Sequence, residues 1–186
     1  DGTRKVARLP GPPYHFMSRV VDVKGPMGEP KAGAEVVVDY DVPPDAWYFR
    51  ENGAATMPMC VLMEATLQPC GWLASYVGCA LTSEEDLLFR NLDGKGVQHS
   101  EVVPTTGTLR THSKLKSYSK SGTMIIVGFD VRCVALRPDG TEGPLVYTMD
   151  TVFGFFPKEA FEDQAGLPTS DAQRALSKSG GATVID

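Results

Sequence analysis

The chain has 186 residues, 42% of them hydrophobic, with 18 Lys+Arg against 23 Asp+Glu for a formal net charge of −5. That length suits one domain with a real core and short flanking segments and leaves little room for two, while the acidic balance argues against a general nucleic-acid binder but allows a local basic strip. There is no signal-peptide pattern and no apolar run long enough for a membrane span.

Residues 1–11 mix basic side chains with Leu9-Pro10-Gly11, a composition that predicts an extended linker; with Asp1 at the start, the sequence reads as a piece excised from a longer polypeptide. Residues 14–23 are rich in β-formers and predict a first strand, the Gly- and Pro-rich residues 25–33 a turn, and residues 34–42 a second strand. Pro43-Pro44-Asp45 breaks it. The aromatic cluster Ala46-Trp47-Tyr48-Phe49 then leads into a polar loop, residues 50–56, that delivers the chain to its most unusual stretch.

That stretch, residues 57–78, predicts a long helix, with Thr56 as a cap, Pro58 in the first turn and Gly78 as the stop. Apolar residues cover nearly its whole circumference, so the helix should be buried and something must wrap it. It holds a single acid, Glu64, and a single amide, Gln68, one turn apart on the same face. A buried carboxylate is retained only when it is paired, hydrogen-bonded or protonated, so this pair is the candidate functional group. Three of the four cysteines, Cys60, Cys70 and Cys79, lie on or just after the helix and Cys133 lies far downstream, a spacing that fits no metal site. They read as small hydrophobes with reduced thiols, which favours a cytoplasmic setting.

Beyond the helix, Ser83-Glu84-Glu85-Asp86 predicts a surface turn, and Leu87-Leu88-Phe89-Arg90 a short apolar run ended by Asn91-Leu92-Asp93-Gly94. Residues 97–103, 107–119, 123–136 and 145–156 then predict a meander of antiparallel strands. In the third of these, Ile125, Val127, Phe129, Val131, Cys133 and Ala135 share one face by the period-two rule, with Asp130 and Arg132 on the other. Arg110, His112, Lys114 and Lys116 share a face of the strand before it, with Lys120 just beyond: either a solvated face or a docking strip for an acidic partner. Pro157 ends the last strand, residues 158–165 suit two helical turns, and residues 166–186 read as a tail or interdomain linker. Two strands, a long apolar helix and four more strands are the α+β arrangement called the hot dog, an antiparallel sheet wrapped round a central helix, here assigned to residues 12–165.

Met57-Pro58 followed by Leu62-Met63-Glu64-Ala65-Thr66-Leu67-Gln68 resembles the helix of β-hydroxyacyl-acyl-carrier-protein dehydratases. Pro44-Asp45-Ala46-Trp47-Tyr48-Phe49, Gln68-Pro69-Cys70-Gly71-Trp72-Leu73-Ala74, Phe89-Arg90-Asn91-Leu92-Asp93-Gly94 and Phe153-Gly154-Phe155-Phe156-Pro157 together resemble the dehydratase-type domains of polyunsaturated fatty acid synthases, which are giant multidomain enzymes. The resemblance implies loss of water from a 3-hydroxyacyl chain on the phosphopantetheine of an acyl carrier protein. A histidine would take the α-proton, a helix acid would handle the departing hydroxyl, and no cofactor or metal of the domain's own would be needed. Glu64 matches the acid and Gln68 its polar partner, and burial should raise the acid's pKa. The acidic carrier protein would be the partner for the basic strip. Met57, Pro58, Met59, Gly71 and Trp72 become candidates for substrate contact, with core packing as the simpler role for the methionines and Trp72.

The family's histidine stands in the loop before Met-Pro, and here that loop reads Phe49-Arg50-Glu51-Asn52-Gly53-Ala54-Ala55-Thr56. Arg50 or Asn52 takes the place, and neither is a base at neutral pH. Of the three histidines, His15, His99 and His112, His15 is the best substitute because the first strand of a hot dog can run near the helix. Three readings stay open: a half-site completed by a second hot dog, as a homodimer or tandem pair, that supplies the base; a non-catalytic partner domain; and a hot-dog acyl thioesterase, in which a helix carboxylate activates water.

Overall fold

The computed structural model describes residues 7–162 and 169–179. Its elements are β1 (Arg19–Lys24), β2 (Glu35–Asp41), α1 (Trp47–Arg50), α2 (Met59–Tyr76), a 3-10 turn (Cys79–Thr82), β3 (Leu87–Gln98), β4 (Thr108–Ser121), β5 (Met124–Leu136), β6 (Glu142–Pro157), a second 3-10 turn (Lys158–Phe161) and α3 (Asp171–Lys178). The strands form one six-stranded sheet in the order β1-β2-β4-β5-β6-β3, every neighbouring pair antiparallel. α2 lies across β2, β4 and β5, and the fold is the hot dog.

The alternating face of β5 is buried at all six positions from Ile125 to Ala135. It packs with Val36 and Val38 of β2, Leu109 and Leu115 of β4 and Phe153 of β6 into one core shared with Leu62, Ala65, Cys70, Leu73 and Ala74 of α2. Leu62 is fully buried, and truncating a leucine so placed costs about 2–5 kcal/mol. Gly78 stops α2 in the left-handed region, at φ 75°, and a β-carbon there would come within 3.0 Å of Gly28 in the turn between β1 and β2. Gly28 N–H in turn donates to the Tyr76 carbonyl at 3.0 Å, so that turn is seated on the end of the helix.

Several boundaries differ from the sequence expectation for reasons that lie in distant residues. α2 begins at Met59 with Pro58 as its N-cap, and Thr56 does not cap it: the Thr56 carbonyl accepts from Asn52 Nδ2 at 2.9 Å, and Met57 N–H donates to the Val102 carbonyl at 2.8 Å. Nor is the helix buried all round, because the sheet covers one side of it and leaves Met59 51% and Met63 37% exposed. The expected break at residues 91–94 is a bulge between Asn91 and Asp93 inside one long strand, β3, which the still longer β6 templates from end to end; residues 99–103 carry no strand. The first strand starts at Arg19 rather than residue 14, since the backbone of residues 14–16 is bonded to α2 instead. The expected tail carries α3, eight exposed residues started by a Ser170–Gln173 capping box; residues 163–168 and 180–186, and residues 1–6 of the expected linker, lie outside the described residues. Residues 7–9 lie against α2, where a β-carbon on Gly71 would stand 3.2 Å from Leu9 Cδ2.

Candidate functional site

Gln68 is the anchor of the site. Its side chain is buried (2% exposed) and has all its near partners in one small region. Oε1 accepts from Phe16 N–H at 2.8 Å, and Nε2 donates to the Tyr14 carbonyl at 2.9 Å and to Glu64 Oε1 at 3.2 Å. One amide therefore ties an extended segment of the chain to α2 and orients the carboxylate of Glu64, which sits half-buried at the open edge of the helix. The segment is held from the other side as well. Trp47 Nε1 donates to the Pro13 carbonyl at 3.4 Å, and the Phe16 ring is buried against Tyr14, Tyr40 and Tyr48, with ring centroids 5.0, 5.6 and 6.3 Å away.

Helical spacing sets Cys60, Glu64 and Gln68 along one face at intervals of four residues. Next to that face, with its backbone carbonyl bonded to Gln68, is Tyr14, which sequence reading passed over and which is 38% exposed. Its phenol pKa is raised, first by burial and then by the charges of Glu64 and Cys60. The missed signal was the tyrosine's position in a Pro-Pro-Tyr segment, which carries no chemistry until Gln68 fastens it to the helix. The half-buried carboxylate corrects the expectation of a buried one: Met59 and Met63 beside it are among the most exposed apolar residues of the helix.

The remaining site candidates divide. Asn52 shapes the loop before α2 through its bond to the Thr56 carbonyl, and Arg50 is exposed at the end of α1. His15 is exposed beside Tyr14; His99, just past β3, pairs with Thr148 Oγ1 of β6 at 2.8 Å, and His112 of β4 with Glu142 of β6 at 2.6 Å. None of the three histidines is bonded to Glu64. Met57 is buried in the core, Pro58 is the helix N-cap, and Met59 is exposed at the rim of the site. Gly71 lies under Leu9, and Trp72 stacks on Tyr76 with centroids 5.2 Å apart. Among the described residues no cluster of three or more His, Cys, Asp or Glu side chains could hold a metal ion, and all four cysteines are unbridged.

The basic strip on β4 is not a free positive surface. Arg110 is held by Asp39 at 2.7 Å, Lys114 by Glu35 at 3.1 Å, and Lys116 by Asp130 at 2.9 Å and Asp150 at 2.8 Å, while Lys120 donates to the Thr82 carbonyl. The acids come from β2, β5 and β6, which the sequence of β4 alone does not reveal. A groove of about 800 Å³ crosses this face between Lys24, Glu35, Lys95, Arg132 and Asp150, lined by both signs of charge.

The sequence matches the FabA-like domain over residues 9–136. It is 36% identical over 137 residues to a polyunsaturated fatty acid synthase polypeptide of Thraustochytrium sp., a match that takes in 71% of this chain and 9% of that protein's length. Among solved structures, a hypothetical protein of Thermus thermophilus described as a thioesterase superfamily member superposes with a TM-score of 0.53 at 15% identity, covering 82% of this chain and 97% of that one. A hypothetical thioesterase with coenzyme A from Streptococcus pneumoniae gives 0.50 at 12% identity, covering 76% and 89%. At such identities these two speak for the fold alone. With the family match spanning most of the described chain and a synthase relative beside it, the chain belongs to the FabA-like family of hot-dog domains.

Proposed function

We propose that this chain is the acid-bearing hot dog of a dehydratase unit in a polyunsaturated fatty acid synthase, acting on 3-hydroxyacyl thioesters carried by an acyl carrier protein. The observation that carries the reading is the Glu64–Gln68 pair: a half-exposed carboxyl group held by a buried amide on the central helix, beside an apolar rim of Met59 and Met63. In the proposed reaction a base takes the proton at C2 of the acyl chain and that electron pair forms the C2–C3 double bond. The C3–O bond breaks as the Glu64 carboxyl gives its proton to the leaving oxygen, so the hydroxyl departs as water and the 2-enoyl thioester remains. Proton return from the base to Glu64 closes the cycle.

The base is assigned to a second hot-dog domain, since the loop before α2, residues 50–56, holds no histidine and His99 and His112 are engaged by Thr148 and Glu142. The exposed methionine rim is where a covering partner removes water from the site. The phosphopantetheine of the carrier is the only prosthetic group the reaction draws on, and four unbridged thiols suit a cytoplasmic enzyme. Because the chain spans 9% of its synthase relative, the partner and carrier belong to the larger assembly. No helix among the described residues is long and apolar enough to cross a membrane.

The test is Glu64→Gln in the intact synthase, with enoyl product measured on the carrier. Loss of dehydration by about 100-fold or more supports the reading; unchanged product removes Glu64 from the chemistry. Free acid released in place of enoyl thioester identifies a thioesterase instead, and carrier binding without turnover in any pairing identifies a non-catalytic partner.

A further inference from the structure

We propose that Tyr14 is a substrate-contacting residue of the Glu64 site, its hydroxyl donating a second hydrogen bond to the 3-hydroxyl oxygen of the acyl chain and thereby selecting hydroxylated over unsubstituted thioesters. The proposal rests on the dehydratase reading above and adds the group that recognises the leaving oxygen.

Three observations carry it. The backbone at Tyr14 is fixed by the same amide that orients Glu64, since Gln68 Nε2 reaches both the Tyr14 carbonyl at 2.9 Å and Glu64 Oε1 at 3.2 Å. The neighbouring residues are pinned too, Phe16 through its N–H on Gln68 at 2.8 Å and Pro13 through its carbonyl on Trp47, so the backbone that carries the phenol is fixed on both sides. Finally, the tyrosine ring packs on Phe16 and remains 38% exposed, so its hydroxyl is open to a ligand, and Glu64 is close enough to be among the groups that raise the phenol's pKa. A protonated phenol and a carboxyl group facing one small volume make two donors for a single oxygen, the arrangement a departing hydroxyl needs as charge gathers on it. A site built to bond a substrate hydroxyl rejects the analogue that lacks it, because its own polar groups are then left unpaired. The phenol transfers no proton in this scheme and is unchanged after each turnover.

Binding to the full chain decides the matter, with 3-hydroxyoctanoyl-pantetheine and octanoyl-pantetheine as probes. The native chain should favour the hydroxylated probe by about tenfold, the worth of one good hydrogen bond in a partly screened site. Tyr14→Phe keeps the ring on Phe16 and should bring that preference within about twofold while leaving affinity for octanoyl-pantetheine unchanged, since only the hydroxyl is lost. Glu64→Gln should weaken the preference independently. If Tyr14→Phe keeps the native preference while Glu64→Gln loses it, the role of Tyr14 is overturned and the dehydratase reading stands. If the native chain shows no preference at all, both fall. Equal loss of both probes in Tyr14→Phe, with the thermal transition unmoved, would make Tyr14 a general wall of the site and also overturn its selectivity.

Discussion

Two regions of the molecule hold charge in opposite ways. On the outer face of the sheet, the basic side chains of β4 meet acids from β2, β5 and β6, as with Lys116 between Asp130 and Asp150, or Arg110 and Arg19 on Asp39. At the edge of α2, Glu64 has an amide for its hydrogen-bond partner, and the same amide holds the Tyr14 carbonyl. Charges that serve folding are matched by register, since antiparallel neighbours stand opposite one another and same-face pairs satisfy one another. A carboxyl group that serves chemistry must keep capacity for a substrate, so it is oriented by an amide and not tied into an ion pair.

The contrast is broken first at Gln68. Gln68→Leu strands the Phe16 N–H and the Tyr14 carbonyl and frees Glu64, and should cost about 2–4 kcal/mol by denaturant titration as well as most of the turnover. A stability loss under about 0.5 kcal/mol would show that the segment is held by its aromatic contacts alone. Arg110→Leu attacks the other region. Asp39 is 1% exposed, and losing its bidentate partner should cost about 2–3 kcal/mol, less than the full cost of an orphaned buried charge because Arg19 still reaches it at 3.1 Å. Product formation per folded molecule should be unchanged, and a specific drop in activity would mean the two regions are coupled.

Acid sharpens the contrast further. Arg19 beside Asp41, Lys114 and Lys24 beside Glu35, Arg132 beside Glu142 and Lys116 beside Asp150 hold these carboxyls below their ordinary pKa values. Depressed folded values mean that their stabilisation is fully present above the unfolded pKa and is lost as pH falls through the folded one. The thermal midpoint should therefore be flat from pH 7 to about 5 and fall below about 4, with added salt shrinking the difference. A midpoint that rises on acidification would show that these pairs do not stabilise the fold. The smallest effect is expected from Lys116→Ala, which should leave the thermal midpoint nearly unmoved, since all three members of that cluster are about half exposed or more. Glu64→Gln should be as quiet in stability, within about 0.5 kcal/mol, while removing the chemistry; a large stability loss would recast Glu64 as a structural group.

The sequence by itself determined the class of fold. The long apolar run around Leu62 and Leu73 and the alternation from Ile125 to Ala135 each state a period, and burial of those faces leaves few arrangements besides a helix wrapped by a sheet. The acid on the helix and its amide four residues on were equally readable, because helical spacing is a local property. Only the tertiary structure decided the rest. The bulge at Asn91–Asp93 sits inside a strand because β6 lies beside it, a fact absent from residues 91–94 themselves. The basic face of β4 is neutralised because sheet order brings three other strands' acids to it. Tyr14 reaches the carboxylate's field because Gln68, 54 residues away, holds its backbone. Local propensity is written in neighbouring residues; contact across the sheet or over the helix belongs to the packed chain, and at Glu64 it is that packing which turns an isolated acid into a site.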